Sequence, residues 1–338
     1  MVSLRDFGYN DLARSKQLGE IKSRPLLVVL VDHETQPPAP TTSWNFGRTF
    51  DEYVDLIWGS GTSLAGLFQE VSNRRFVWEK AVPGPGILRP IKISYSEAQL
   101  SLNDRIPVIK QKIIDTGFRF DNFSWYGGTA RRVTEDHLTI LVIDNGSFDL
   151  GATRSGACVT AHNHDWCGQV SFVGHQAPMW KMSHELFHSI GLDANSDIYG
   201  ADLWRNAGCS IMSSRLCHLD PWHKMFLGWA EPQLVELGVE QDFTLKPPTL
   251  GLSNHALLLY DPANVDGKEF YMAEYRSSAP SHSTYDVEVW QSGLMLWQVR
   301  LDNLKHLYKL PIDPLIPSLI DQNPFAQWRN PRVMMRQG

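Results

Sequence analysis

The apolar positions of this 338-residue chain fall into a few runs whose period decides their structure. Pro25 to Val31 is apolar throughout, and Asp32 closes it. Without polar alternation it reads as a strand buried on both faces. It is far shorter than the ~20 residues a membrane-spanning helix needs, so no membrane insertion is expected. His137–Ile143 reads the same way, and Gln169–Val173 is a shorter version. Phe76–Trp78 and Ile91–Tyr95 read as further strands. A period of 3.6 fits residues 50–58 (Phe50, Tyr53, Val54, Ile57), residues 62–70, and residues 103–117 with Ile106, Val108, Ile109, Ile113 and Ile114. Beyond residue 235 the texture becomes strand-like at 243–246, 255–260, 269–275 and 293–299. The expected fold class is α+β. Residues 1–235 form the first domain, 236–301 a β-rich lobe packed on it, and 302–338 a Pro-interrupted tail.

Composition narrows this. Apolar residues at 43% and charged residues at 20% are ordinary for a globular chain and exclude wholesale disorder. The charge sum, 31 − 37 = −6, argues against a broad nucleic-acid footprint, so no nucleic-acid partner is expected. Twelve Trp raise the thought of a carbohydrate platform, but they show no periodic spacing and belong mostly to the core. Cys158 with Cys167 and Cys209 with Cys217 make two close pairs. Spacing alone leaves local disulfides and four thiols both open. No secretory signal is visible in the first 24 residues, which carry Arg5, Asp6, Asp11, Arg14 and Lys16. On that ground the protein is expected to stay in the cytoplasm, to leave by another route, or to be a chain that starts after processing.

Chemistry concentrates at His184-Glu185-Leu186-Phe187-His188. On a helix, residues i and i+4 share a face, so both imidazoles point the same way. Met182, Leu186 and Ile190 fall on the opposite face and can be buried. Two neutral imidazoles suit Zn²⁺, and Glu185 between them is placed to reach a water on the metal. Gly191 permits a sharp exit from the helix, because glycine tolerates positive φ. A catalytic zinc site needs a third protein ligand and one open position. Three residues after Gly191 stands Ala194, which cannot bind a metal; Asp193 and Asp197 flank it. The same stretch, Asp193-Ala-Asn195-Ser-Asp197, has the D-x-N-x-D spacing of a calcium loop, so Ca²⁺ is a second candidate ion. It has Ile198 where such loops carry Gly, and no bidentate Glu follows. Cys158, His162, His164, Asp165 and Cys167 form another metal-capable group, but their spacing matches no closed zinc module.

With these residues in view, the chain resembles the immune inhibitor A family of metallopeptidases, whose catalytic region is similar to the metzincins. The resemblance rests on Arg24–Asp32, Ser183–Gly191, Cys209–Ser214 and His218–Trp229, and more loosely on Glu269–Arg276 and Gly293–Trp297. It implies a metzincin-like zinc-protease domain with a twisted mixed sheet, an active-site helix and a methionine turn at Met212. It implies one catalytic zinc on His184, His188 and an Asp, with Glu185 as general base, and it places Asp197 ahead of Asp193 because Tyr199 follows Asp197 in a D-x-Tyr pattern. Tyr199 is then a candidate donor to the oxyanion, with His218 and His223 behind it. The implied activity is zinc-dependent endopeptidase action on a protein or peptide, in a secreted protein. The alternative is a degenerate member of the same fold that binds without cleaving. Glu274 and Arg276 are expected to form a strand-edge ion pair of little energetic worth.

Overall fold

The computed structural model describes residues 22–34, 46–123, 132–133, 138–146, 150–154, 159–161, 164–166, 170–192, 210–213, 216–250, 253–264, 269–286, 289 and 292–300. The fold is mixed α+β, with short helices and mixed sheets. It divides into two compact units. One, the parallel-sheet unit, holds Ser23–Gly66 and Trp78–Gly191. The other, the lobe unit, takes in Leu67–Val77 and the chain from Leu192 onward, so the strands beyond 236 share a unit with the residues just before them.

In the parallel-sheet unit the strand order is β2 (Phe76–Lys80), β1 (Lys22–His33), β5 (Thr139–Asp144), β9 (Val170–Gly174) and β6 (Gly151–Arg154). Strand β3 (Ile87–Ile93) also pairs with β1. The pairs β1–β3, β1–β5 and β5–β9 are parallel, whereas β6 runs antiparallel to β9 at the sheet edge. Leu26 to Val31 are fully buried on both faces, as the unbroken apolar run demands. Arg132–Val133 (β4), Val159–Ala161 (β7) and His164–Trp166 (β8) make a small separate sheet.

The two faces of the large sheet are used differently. Leu27, Val29, Ile140, Val142, Val170 and Phe172 align through the register and pack with Ile106, Ile109 and Ile113 of helix α4 (Leu102–Asp115). The opposite face carries Leu141, Ser171 and Thr153 side by side. Helix α1 (Phe50–Trp58) starts in a capping box: Glu52 N donates to Thr49 Oγ1 at 3.2 Å, and Thr49 N donates back to Glu52 Oε2 at 2.6 Å. Helix α3 (Tyr95–Ala98) starts in the same way on Ser94 and Glu97.

In the lobe unit the order is β10 (Glu231–Glu236), β11 (Ser253–Tyr260), β12 (Glu269–Arg276) and β13 (Gly293–Arg300). The first pair is parallel and the others antiparallel. The strand expected at 243–246 is not one. Glu231–Glu236 takes its place beside β11, while Phe243 and Leu245 pack on Val235, Leu257 and Ala273 as extended chain. Helix α2 (Leu64–Val71) and β2 both cross the boundary between the units. Phe68, Phe76 and Trp229 form an aromatic row with centroid spacings of 5.9 and 5.8 Å. Among the described residues, no helix is long and apolar enough to cross a membrane.

Candidate metal-binding helix and its hydroxyl support

Helix α5 (Met179–Ser189) carries the His184-Glu185-Leu186-Phe187-His188 segment. The loop before it is held from α1: the Arg48 guanidinium donates to the carbonyls of His175 and Ala177 at 3.2 Å each, and Tyr53 Oη donates to the His175 carbonyl. At its C-terminal end Arg24 donates to the Ser189 carbonyl at 3.0 Å. Gly191 then takes φ +128°, a conformation that side chains resist. Met182, Leu186 and Ile190 are buried, as the apolar face predicts.

The other face brings His184 and His188 together. Their Nε2 atoms stand 3.1 Å apart, and the rings meet edge to face with centroids 4.7 Å apart. Two nitrogens bound to one tetrahedral zinc at ~2.05 Å would be about 3.3 Å apart, so the spacing fits a shared ion. His184 is almost fully buried and His188 half-buried. The residues present therefore suit a divalent ion with nitrogen ligands.

Glu185, 6% exposed, turns toward the sheet. Its Oε2 accepts from Thr153 Oγ1 on β6 at 2.8 Å. The same hydroxyl lies 2.8 Å from the Glu185 carbonyl, to which Ser171 Oγ also donates at 2.9 Å. Ser171 Oγ stands 3.0 Å from Thr153 Oγ1 and 2.8 Å from Ser189 Oγ. Oε1 lies over Gly151, where a Cβ would come within 2.9 Å of it. Sequence reading missed Thr153, Ser171 and Gly151, because β6 and β9 meet α5 only through the fold. Ser189, at i+4 from Glu185, was visible in helical spacing.

Asp193, Asp197 and Tyr199 lie outside the described residues, as do Cys158, His162, Cys167 and Cys209. Met212 is fully buried in the lobe unit, in the turn Ile211–Ser213. Among the described residues, no three His, Cys, Asp or Glu side chains gather for a metal.

His218 and His223 sit in a buried ionic network of the lobe unit. His218 Nε2 meets Glu70 Oε1 at 2.8 Å, and its Nδ1 meets Lys224 Nζ at 2.8 Å. With Lys224 protonated, its ammonium only donates, so His218 then accepts at Nδ1 and donates from Nε2 to Glu70. Asp286 accepts from His218 N at 2.7 Å and from Arg276 Nη1 at 2.8 Å. Arg276 also faces Glu274 at 2.9 Å and donates to the Leu219 carbonyl. The pair Glu274–Arg276 is thus fully buried on the interior strand β12, not at a strand edge as expected.

Burial of Lys224 pulls its pKa down to about 7, and the Arg276 charge adds to this. Burial likewise lowers His218, helped by Lys224. On Asp220, N-cap of helix α6 (Pro221–Phe226), burial pushes the carboxyl up, but His223 at 2.5 Å and Ser210 outweigh it and hold it at about 2.

A second polar cluster closes the carboxyl ends of β1 and β5. Asp144, fully buried, meets His33 Nε2 at 2.7 Å and Arg105 Nη1 at 2.8 Å.

Compared with known proteins, the chain matches no family model, and no curated protein matches it in sequence.

Proposed function

We propose that the chain is a zinc-dependent endopeptidase, with a metzincin-like catalytic unit akin to the immune inhibitor A family. The observation that carries this reading is the convergence of His184 Nε2 and His188 Nε2 to 3.1 Å on one helical face, with the Glu185 carboxylate held one residue along. Zinc would be held by His184, His188 and one of Asp197 and Asp193. When bound, it supplies Lewis-acid polarisation of a carbonyl and acidification of a water.

The chain's own residues do the rest. Glu185 takes the proton from the attacking water and passes it to the leaving amine. Its burial keeps the carboxylate in a low-dielectric pocket, where a fixed partner governs its orientation. Strand β6, antiparallel to β9 and last in the strand order among the described residues, would offer main-chain groups to an extended polypeptide, which would add as one more strand. Tyr199 is the proposed donor to the developing oxyanion. A protein or peptide is therefore the proposed substrate, and the proposed setting is extracellular.

The test is Glu185→Gln in zinc-replete protein. Zinc content should stay at one per chain while casein cleavage falls by about 10³-fold. Cleavage that survives the substitution removes Glu185 as the base. Wild-type protein that binds zinc yet never cleaves is the binding module.

A further inference from the structure

We infer that Thr153, on the edge strand β6, is a positioning residue for Glu185: its hydroxyl fixes the carboxylate through Oε2 and ties the base to the strand that borders the site. This rests on the peptidase reading above.

The hydrogen count supports it. Thr153 Oγ1 has one hydrogen and two acceptors at 2.8 Å, the Glu185 carbonyl and Glu185 Oε2. Ser171 Oγ already reaches that carbonyl at 2.9 Å. Ser189 Oγ can donate to Ser171 at 2.8 Å, so each of the three hydroxyls has a place to send its hydrogen. Of the two Glu185 oxygens within 2.8 Å of the Thr153 hydroxyl, the carboxylate oxygen is the stronger acceptor because it is charged. Register supports it too: Thr153 pairs with Ser171 across β6–β9, so both hydroxyls project from one sheet face toward α5.

Gly151 acts from the other side. A Cβ there would press Oε1 at 2.9 Å, so the bare backbone leaves the carboxylate room in one orientation. Oε2 is anchored and Oε1 is the oxygen left to collect a proton. Because Thr153 belongs to the edge strand, a chain that pairs with β6 also steadies the base.

The experiment compares Thr153→Val, which keeps the branched shape and removes the hydroxyl, with Thr153→Ser, which restores it. Two readouts are taken: crystal structures of the variants and steady-state cleavage of labelled casein with zinc content measured. In Thr153→Val the Glu185 carboxylate should leave its place beside residue 153. The kcat should fall about 10–100-fold, with KM and zinc content unchanged. Thr153→Ser should recover both. A carboxylate that stays put at full kcat overturns the proposal, as does a kcat loss matched by loss of zinc. If zinc-loaded wild type does not cleave at all, the peptidase reading fails, and the carboxylate position alone then decides for or against Thr153. Should Thr153→Val not fold, Thr153→Ala takes its place with the same outcomes.

Discussion

Two polar regions of this protein look alike in composition and differ in geometry. In the lobe unit Glu70, His218, Lys224, Asp286, Arg276 and Glu274 form a continuous hydrogen-bonded network in which Arg276 pairs with both Glu274 and Asp286, and His218 uses both ring nitrogens on its neighbours. On α5 the two histidines turn their Nε2 atoms toward each other at a spacing one ion could satisfy, and neutral hydroxyls do the supporting. Buried charges that answer each other hold a fold together. The two Nε2 atoms of His184 and His188 face each other at 3.1 Å, close to the spacing that two nitrogens on one tetrahedral ion take. Residue type alone does not separate the two cases, since both draw on His and Glu; geometry does.

The largest expected effects break this contrast in opposite directions. His188→Ala removes one of the two converging nitrogens. Structural zinc is worth about 10–16 kcal/mol over its ligands, so one ligand carries some 3–4 kcal/mol. Zinc affinity should fall by about two to three decades in a competition titration, with the melting temperature of metal-free protein unchanged. Arg276→Met should do the reverse. It strands two carboxylates, Glu274 and Asp286, in the interior, at a cost of about 3–5 kcal/mol in denaturant unfolding. Zinc affinity measured below the transition should not move. If Arg276→Met leaves stability intact, the network is not what stabilises the lobe unit.

A smaller effect follows from Lys224. Its pKa is about 7 in the folded protein, against 10.5 for the free side chain. Between those values the unfolded chain holds more protons than the native one. Stability therefore rises with pH across that window. The contribution of Lys224 should show as a melting temperature that climbs from pH 7 to 9. Lys224→Met should flatten the climb. At the acid end the sign is the same. The Asp220 carboxyl, held at about 2, contributes stability above pH 3.8 that is lost as the pH falls toward 2. An unchanged slope in Lys224→Met would mean that Lys224 titrates normally.

Much of the parallel-sheet unit was readable along the chain because its signals are local. The apolar run at 25–31 became the core of β1, the 3.6 period at 50–58 became α1 with the same limits, and Gly191 turned the chain where its freedom was needed. The i, i+4 histidines were readable for the same reason. What stayed hidden depends on distant residues. Thr153 and Glu185 are 32 positions apart, and Glu70 and His218 are 148 apart. The Glu274–Arg276 pair was misjudged because alternation along a strand says which residues share a face, not whether another strand covers its edge. At 243–246 the apolar alternation was real, but Phe243 and Leu245 use it to cover a small core without joining a ladder.

The smallest expected effect tests how far the hydroxyl support extends. Ser189 Oγ touches Ser171 Oγ but not the carboxylate, so through Ser171 and Thr153 it stands three contacts from the base. If the three hydroxyls act as a polarised chain, each step should weaken the influence on Glu185 while leaving it measurable. Ser189→Ala removes one neutral hydrogen bond, worth about 0.5–1.5 kcal/mol of stability. Its effect on cleavage should stay within about twofold, because Ser171 can turn its hydrogen to the Glu185 carbonyl without help. A double variant with Thr153→Val separates the possibilities. Losses that multiply mean that Thr153 acts alone on the carboxylate. Losses smaller than the product mean that the hydroxyls on α5, β9 and β6 act on the carboxylate as one chain. The boundary of the site then lies at Ser189, inside the helix that carries the two histidines.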